Sequence, residues 1–209
     1  MYYYLCLTIT IFTCLGCITK KTNGKYVIHK TNWINGEYFL VDSRGDTIKK
    51  LEKHDYSISF TGYFDRFAIF GITGVRSWPA IDIHENILFT VGNFPPGDPL
   101  APDYLVEDRI RIIDDSGKIG FANSKGKIVI KPQFELVTRF NNGFAIIQAE
   151  CYKIYSDDEG DDIDHDEHDD CNHYGILCNK LGYIDKKGKI IKLGNYSFEE
   201  LQKEIGWKD

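Results

Sequence analysis

A turn signature that recurs four times constrains this chain more than any other feature. An apolar residue is followed by Asp or Asn, two polar residues, Gly, and then Lys or Asp. The copies are VDSRGD from Val41, IDDSGK from Ile113, ANSKGK from Ala122 and IDKKGK from Ile184. In each, the side chain of Asp42, Asp114, Asn123 or Asp185 can accept hydrogen bonds from backbone amides a few residues on. Gly45, Gly117, Gly126 and Gly188 supply the positive φ that a short hairpin loop needs. The polar pair between them faces water. Apolar alternation on both sides, as in KIGFA and KIVI, reads as strands. The pattern predicts an all-β fold of antiparallel hairpins and meanders. Thirteen Tyr and thirteen Phe against a single Met agree with a sheet-rich core, because flat rings pack well on a pleated surface.

Two of these turns sit inside a longer echo: GFANSKGKI begins at Gly120 and GYIDKKGKI at Gly182. Turns at Asp114 and Asn123 predict a meander with strands over Arg109–Ile113, Lys118–Ala122 and Lys127–Ile130. The Asp42 and Asp185 turns predict separate hairpins. Pro132 lacks an amide donor and is read as the end of a strand. Asn142 and Gly143 mark a loop, and Phe144–Ile147 is the next strand. GYFDRFAIF from Gly62 repeats that ending after the Asp42 turn. The unit is thus a hairpin, a polar excursion and an FAI strand, about forty residues long, within the range of repeat architectures. Residues 118–147, KIGFANSKGKIVIKPQFELVTRFNNGFAII, resemble the WG-repeat family nearly throughout. Residues 180–191 resemble the first half of its unit, and residues 36–70 its outline. Ile119 and Leu181 stand where the family has Trp, and Phe39 stands where it has Gly. The resemblance implies all-β repeat structure and an interaction or envelope-associated module.

Two stretches break the pattern. Residues 76–106 hold NFPPGDPLAPDY, with four of the six prolines, and read as an exposed loop insertion. Residues 156–172 form an acidic insertion, in which SDDEGDDIDHDEHDD holds ten acidic residues and no Lys or Arg. The whole chain has a formal net charge of −6; without this run the balance turns mildly basic. Like charges at that density stay solvated. The run and its flank also hold His165, His168, Cys171 and His173, donors suited to Zn²⁺ or Cu²⁺, while the carboxylates suit Ca²⁺. The spacing does not match a helix–loop–helix calcium loop. Cys151, Cys171 and Cys178 allow at most one internal disulfide, in three pairings, or three free thiols; Cys151 and Cys178 could staple the base of the insertion. At the C-terminus, SFEELQKEIGW predicts a short helix with a Ser197–Glu200 capping box, its face formed by Phe198, Leu201 and Ile205. That helix is expected to cover a sheet edge.

The first nineteen residues carry no charged side chain and read as a targeting segment. Their end, CLGC, resembles a bacterial lipoprotein signal, which makes residues 1–16 a signal peptide, Cys17 the lipidated residue and residues 17–25 a tether to a domain over 26–209. A plain cleaved signal or an uncleaved anchor is the alternative. The chain is therefore expected to be exported and membrane-anchored at the cell envelope. Nucleophile-elbow, zincin, P-loop and dinucleotide signatures are absent. His29, His54 and His84 are isolated from one another in sequence. An acidic pI of about 5.5 argues against nucleic acid as a partner. The expected role is a non-catalytic binding or scaffold module with a protein or other envelope partner and no cofactor. Divalent-metal binding through the acidic insertion, and a hydrolase with an unrecognised carboxylate site, are the competing readings.

Overall fold

The computed structural model describes residues 25–32, 34, 36–75, 77–92, 101–155 and 174–208. The chain enters through β1 (Tyr26–Lys30), β2 (Tyr38–Val41), β3 (Thr47–Leu51), β4 (Tyr56–Ser59) and β5 (Tyr63–Phe64). It continues through β6 (Ala68–Ile72), β7 (Trp78–Ile81), β8 (Ile87–Val91), β9 (Ile110–Ile113), β10 (Ile119–Ala122) and β11 (Ile128–Phe134). It ends with β12 (Leu136–Val137), β13 (Phe144–Tyr155), β14 (Tyr174–Asp185), β15 (Ile190–Gly194) and helix α1 (Phe198–Ile205). The strands form three sheets, ordered β3-β2-β1-β5, β11-β10-β9-β8-β7-β6-β4 and β12-β13-β14-β15. Every pairing is antiparallel, so the expected all-β fold with a terminal helix is the observed one.

The seven-stranded sheet is the spine, and a four-stranded sheet packs on each end of it. At the N-terminal end Tyr38, Leu40 and Leu51 meet Ala68, Phe70 and Ile72 of β6. At the C-terminal end Phe121, Ile130 and Phe134 meet Ala145 and Ile147 of β13. The two FAI strands explain this layering. All five residues of β6 are buried, with Ile69 facing a separate cluster formed with Ala80 and Phe89. In β13, Ile146 is likewise turned away from Ala145 and Ile147, toward α1. A strand covered on both faces reads as a continuous apolar run, which is why alternation fails there. Phe121 and Phe140 pack edge to face at 4.8 Å, nearly inaccessible to solvent. Burying each ring stabilises the fold by about 1.5–3 kcal/mol.

Three sequence expectations are corrected. Residues 76–106 are not a plain loop, because β7 and β8 inside that stretch pair as a hairpin in the central sheet. Pro79 lies in β7 opposite Thr90 of β8, outside the part of β7 that pairs with β6, which reaches only Ala80 and Ile81. Pro132 does not end β11. The strand bulges there, as Ile119 pairs with Phe134 and Phe121 with Ile130. Gly120 is what admits the bulge: a Cβ at that position would stand 2.5 Å from the Ile130 carbonyl oxygen and the Pro132 nitrogen. Helix α1 covers a sheet face instead of an edge, its Leu201 and Ile205 packing with Ile146 and Tyr183. Its start is fixed by the capping box of Ser197 and Glu200, and its end by Gly206 in the left-handed conformation.

Candidate binding groove

Among the described residues the structure builds five copies of one turn. In the first, the Asp42 amide donates to the Asp46 carbonyl (3.0 Å) and the Gly45 amide to the Asp42 carbonyl (3.1 Å). Asp42 Oδ1 accepts from the amides of Arg44 (2.9 Å) and Asp46 (3.0 Å). Asp114, Asn123 and Asp185 take the same four bonds within their own loops. Gly45, Gly117, Gly126 and Gly188 lie at φ of 90°, 80°, 75° and 82°. This is a type I turn closed by a left-handed residue.

The fifth copy, between β7 and β8, escapes the sequence signature because Glu85 stands where the others have Gly. Asp82 makes the same bonds to His84, Glu85 and Asn86, and Glu85 sits at φ 62°. A left-handed non-glycine residue costs on the order of 1–3 kcal/mol and persists when its surroundings hold it. Here they do. The buried Glu85 carboxylate accepts from the amides of Glu52 (2.8 Å) and Lys53 (2.7 Å), from the Tyr56 hydroxyl (2.9 Å), and from Lys49 Nζ (2.8 Å). Burial alone would raise its pKa; Lys49 and these donors outweigh it and hold the carboxyl below the ordinary glutamate range. Burial and the neighbouring carboxylate together push the Tyr56 hydroxyl up, so it remains a donor.

A second buried carboxylate organises the opposite end. Asp103 is fully buried and bridges two guanidiniums. Arg111 Nε lies 2.9 Å from Oδ2 and its Nη2 3.2 Å from Oδ1, while Arg139 Nε lies 2.5 Å from Oδ1. Arg139 also stacks over the Tyr104 ring at 3.9 Å and donates to its hydroxyl (3.1 Å). Burial pushes the Asp103 carboxyl up, and the two guanidiniums more than offset that, so it titrates below the ordinary aspartate range. The two guanidiniums and Tyr104 line an open groove of about 1020 Å³, with Asp103 buried behind them. Leu136, Phe140, Ile176, Phe198 and Trp207 supply much of its apolar lining. Among the described residues, Arg111 and Arg139 are its only charged lining residues. No local pattern points to this site, since Asp103, Arg139 and Trp207 meet only through folding.

The remaining singled-out residues are dispersed. His29 is an exposed residue of β1, His54 Nε2 lies 2.9 Å from the Glu85 carbonyl oxygen, and His84 occupies a turn. Cys151 and Cys178 face each other across β13 and β14 and form a disulfide. Cys17, His165, His168, Cys171 and His173 lie outside the described residues, as do the leader over 1–16 and most of the acidic insertion. Among the described residues no cluster of metal-ligating side chains is present, and no helix is long and apolar enough to cross a membrane.

Hairpins stacked through one repeating turn around an apolar core define an antiparallel β-repeat protein. The pattern of the WG containing repeat family matches residues 119–150, which run from β10 into β13, so the chain carries a WG repeat. No curated protein and no solved structure matches the chain.

Proposed function

We propose that the chain is a non-catalytic binding module of the cell envelope, held to a membrane by lipid on Cys17 and presenting its C-terminal groove to a ligand or partner. The make-up of that groove carries the reading: aromatic and aliphatic walls meet a guanidinium pair locked by a buried carboxylate. Sites of this kind bind through apolar contact, with a few polar groups fixing orientation. A hydrolase relying on a carboxylic acid needs one whose pKa is raised toward neutrality. Asp103 and Glu85, the two buried carboxylates among the described residues, are held the other way. The Cys151–Cys178 bond supports an exported location, because such bonds persist in oxidising compartments.

Two measurements test this. A photoreactive residue in place of Tyr104 should give a discrete adduct in cells, whereas the same residue in place of Tyr63, far from the groove, should not. Equal labelling at both positions counts against the groove as the binding surface. Cys17→Ser should leave the precursor unprocessed and abolish incorporation of a clickable palmitate. A wild-type membrane fraction that retains Met1 and an unmodified Cys17 overturns the anchor.

A further inference from the structure

The groove has a polar end and an apolar body, and its chemistry narrows what fits. Asp103 balances only one of the two guanidiniums, leaving one positive charge uncompensated. Arg111 and Asp103 are buried, while the Arg139 side chain remains 34% exposed. Its Nε is bonded to Asp103 and its Nη1 to the Tyr104 hydroxyl; Nη2 has no partner among the described residues. Among the described residues, no carboxylate lines the groove to compete for it. A guanidinium edge beside a phenol hydroxyl is a receptor for one anionic oxygen pair.

The walls then decide between an extended peptide and an alkyl chain. A peptide laid in a groove needs backbone partners, and those of Val137, Thr138 and Asn141 are spent. The Val137 carbonyl accepts from Arg111 Nη1 (3.0 Å), and the Thr138 amide donates to Ile146 (2.9 Å). The Thr138 hydroxyl accepts from the Ile146 amide and donates to the Arg139 carbonyl, both at 2.9 Å. Asn141 uses its amide on Phe144 and its side chain on both backbone groups of Lys208. A peptide would strand its own amides against these walls, at the cost of burying unpaired polar groups. An alkyl chain asks for no hydrogen bonds, and Leu136, Ile176, Phe198 and Trp207 offer it apolar surface.

We propose that the groove binds a fatty carboxylate, its head on Arg139 and the Tyr104 hydroxyl and its tail along Leu136, Phe198 and Trp207. This rests on the reading of the groove as the binding surface. The test uses the full chain in the membrane fraction of a bacterial host, labelled with a palmitate that carries a diazirine and an alkyne. Adducts should map to peptides containing Leu136–Asn141 or Phe198–Trp207. Unlabelled palmitate should compete, while hexadecanol and hexadecyltrimethylammonium should not. Arg139→Gln should cut labelling by about tenfold or more, the usual scale for losing a charge-assisted bond. Ile176→Asp, at a site 49% exposed and outside the ion triad, should do the same without moving the thermal midpoint. Labelling spread over the whole chain, or equal competition by the alcohol, or no effect of Ile176→Asp, overturns the fatty-carboxylate assignment. If the palmitate probe fails while the photoreactive residue at Tyr104 still gives a discrete adduct, the assignment falls and the binding-module reading stands.

Discussion

The two halves of this molecule run the same plan and hold it together differently. From β2 to β8, and again from β10 to β15, the chain makes a turned hairpin, an excursion, an FAI strand covered on both faces, and a return hairpin closed by the same turn. In the N-terminal half the glycine of the last turn is replaced by Glu85, and the hollow beside it, about 630 Å³, is polar. Lys50 there is paired with Glu37 and Glu52, and Tyr56 with Glu85. In the C-terminal half the turn keeps Gly188, and its buried carboxylate is supplied by the link before β9, where Asp103 lies beneath an apolar groove with an open guanidinium. A repeat frame fixed by backbone turns thus leaves its buried charges free to differ between copies. One half uses its carboxylate to tie loops, the other to hold up a surface.

The sharpest way to break this contrast is to remove each carboxylate. Asp103→Ala should cost about 3–5 kcal/mol, because it removes the buried carboxylate that Arg111 Nε and Nη2 both bond. Denaturant midpoints measure it. A loss below about 1 kcal/mol would mean that Arg111 reaches water once Asp103 is gone, and that the triad does not organise the groove. Next in size is the close approach at β10. Gly120→Ala should cost about 2–3 kcal/mol, since a methyl there meets backbone that cannot give way. The matching position in β2 is Phe39, paired regularly with Lys50, so Phe39→Ala should cost clearly less. Equal losses at the two positions would show that the bulge at Pro132 does not depend on Gly120.

Which parts of this were legible in the sequence follows from the range of the interactions. Four turns were legible because Asp42 or Asn123 and the glycine three residues on carry the whole mechanism within one loop. The fifth was not, because Glu85 tolerates its backbone only through Glu52, Lys53 and Tyr56, which the chain brings there by folding. The β7–β8 hairpin was hidden for the same reason, since its turn carries Glu85 in place of the glycine. The capping box of α1 was local and legible, while the surface α1 covers was not. The groove lay furthest from reach: its guanidinium, carboxylate and aromatic walls come from four separate stretches of chain.

Acid should separate the halves more gently. Glu85 and Asp103 both titrate below their ordinary values of 4.5 and 3.8, so the unfolded chain takes up each proton first. The stability they contribute is complete above about pH 5 and is lost as pH falls through the ordinary values toward the folded ones. Glu85→Gln keeps an oxygen for the amides but gives up the ion pair with Lys49, and should cost about 1–2 kcal/mol at neutral pH. It should also flatten part of the acid loss and leave the part due to Asp103. An unchanged acid profile in Glu85→Gln would remove the carboxylate clamp from the account of the N-terminal half.

The smallest expected effect isolates the turn itself. Gly45 and Gly188 share a left-handed backbone at φ 90° and 82°, and they differ in what surrounds them. Nothing lies within 4 Å of a Cβ placed at Gly45, whereas one at Gly188 would stand 2.8 Å from Ile130 Cγ2 in the C-terminal core. Gly45→Ala should therefore cost only the backbone term, about 1 kcal/mol. Gly188→Ala adds the displacement of a buried isoleucine and should cost about 1–3 kcal/mol more. Thermal midpoints of the two variants, each against the wild-type chain, give the difference directly. If the two losses are equal, the C-terminal turn is not packed on β11. If Gly45→Ala has no effect, the backbone of the first turn relaxes to a form that alanine adopts freely. The shared turn would then be a rigid device only in those copies where the core bears on it.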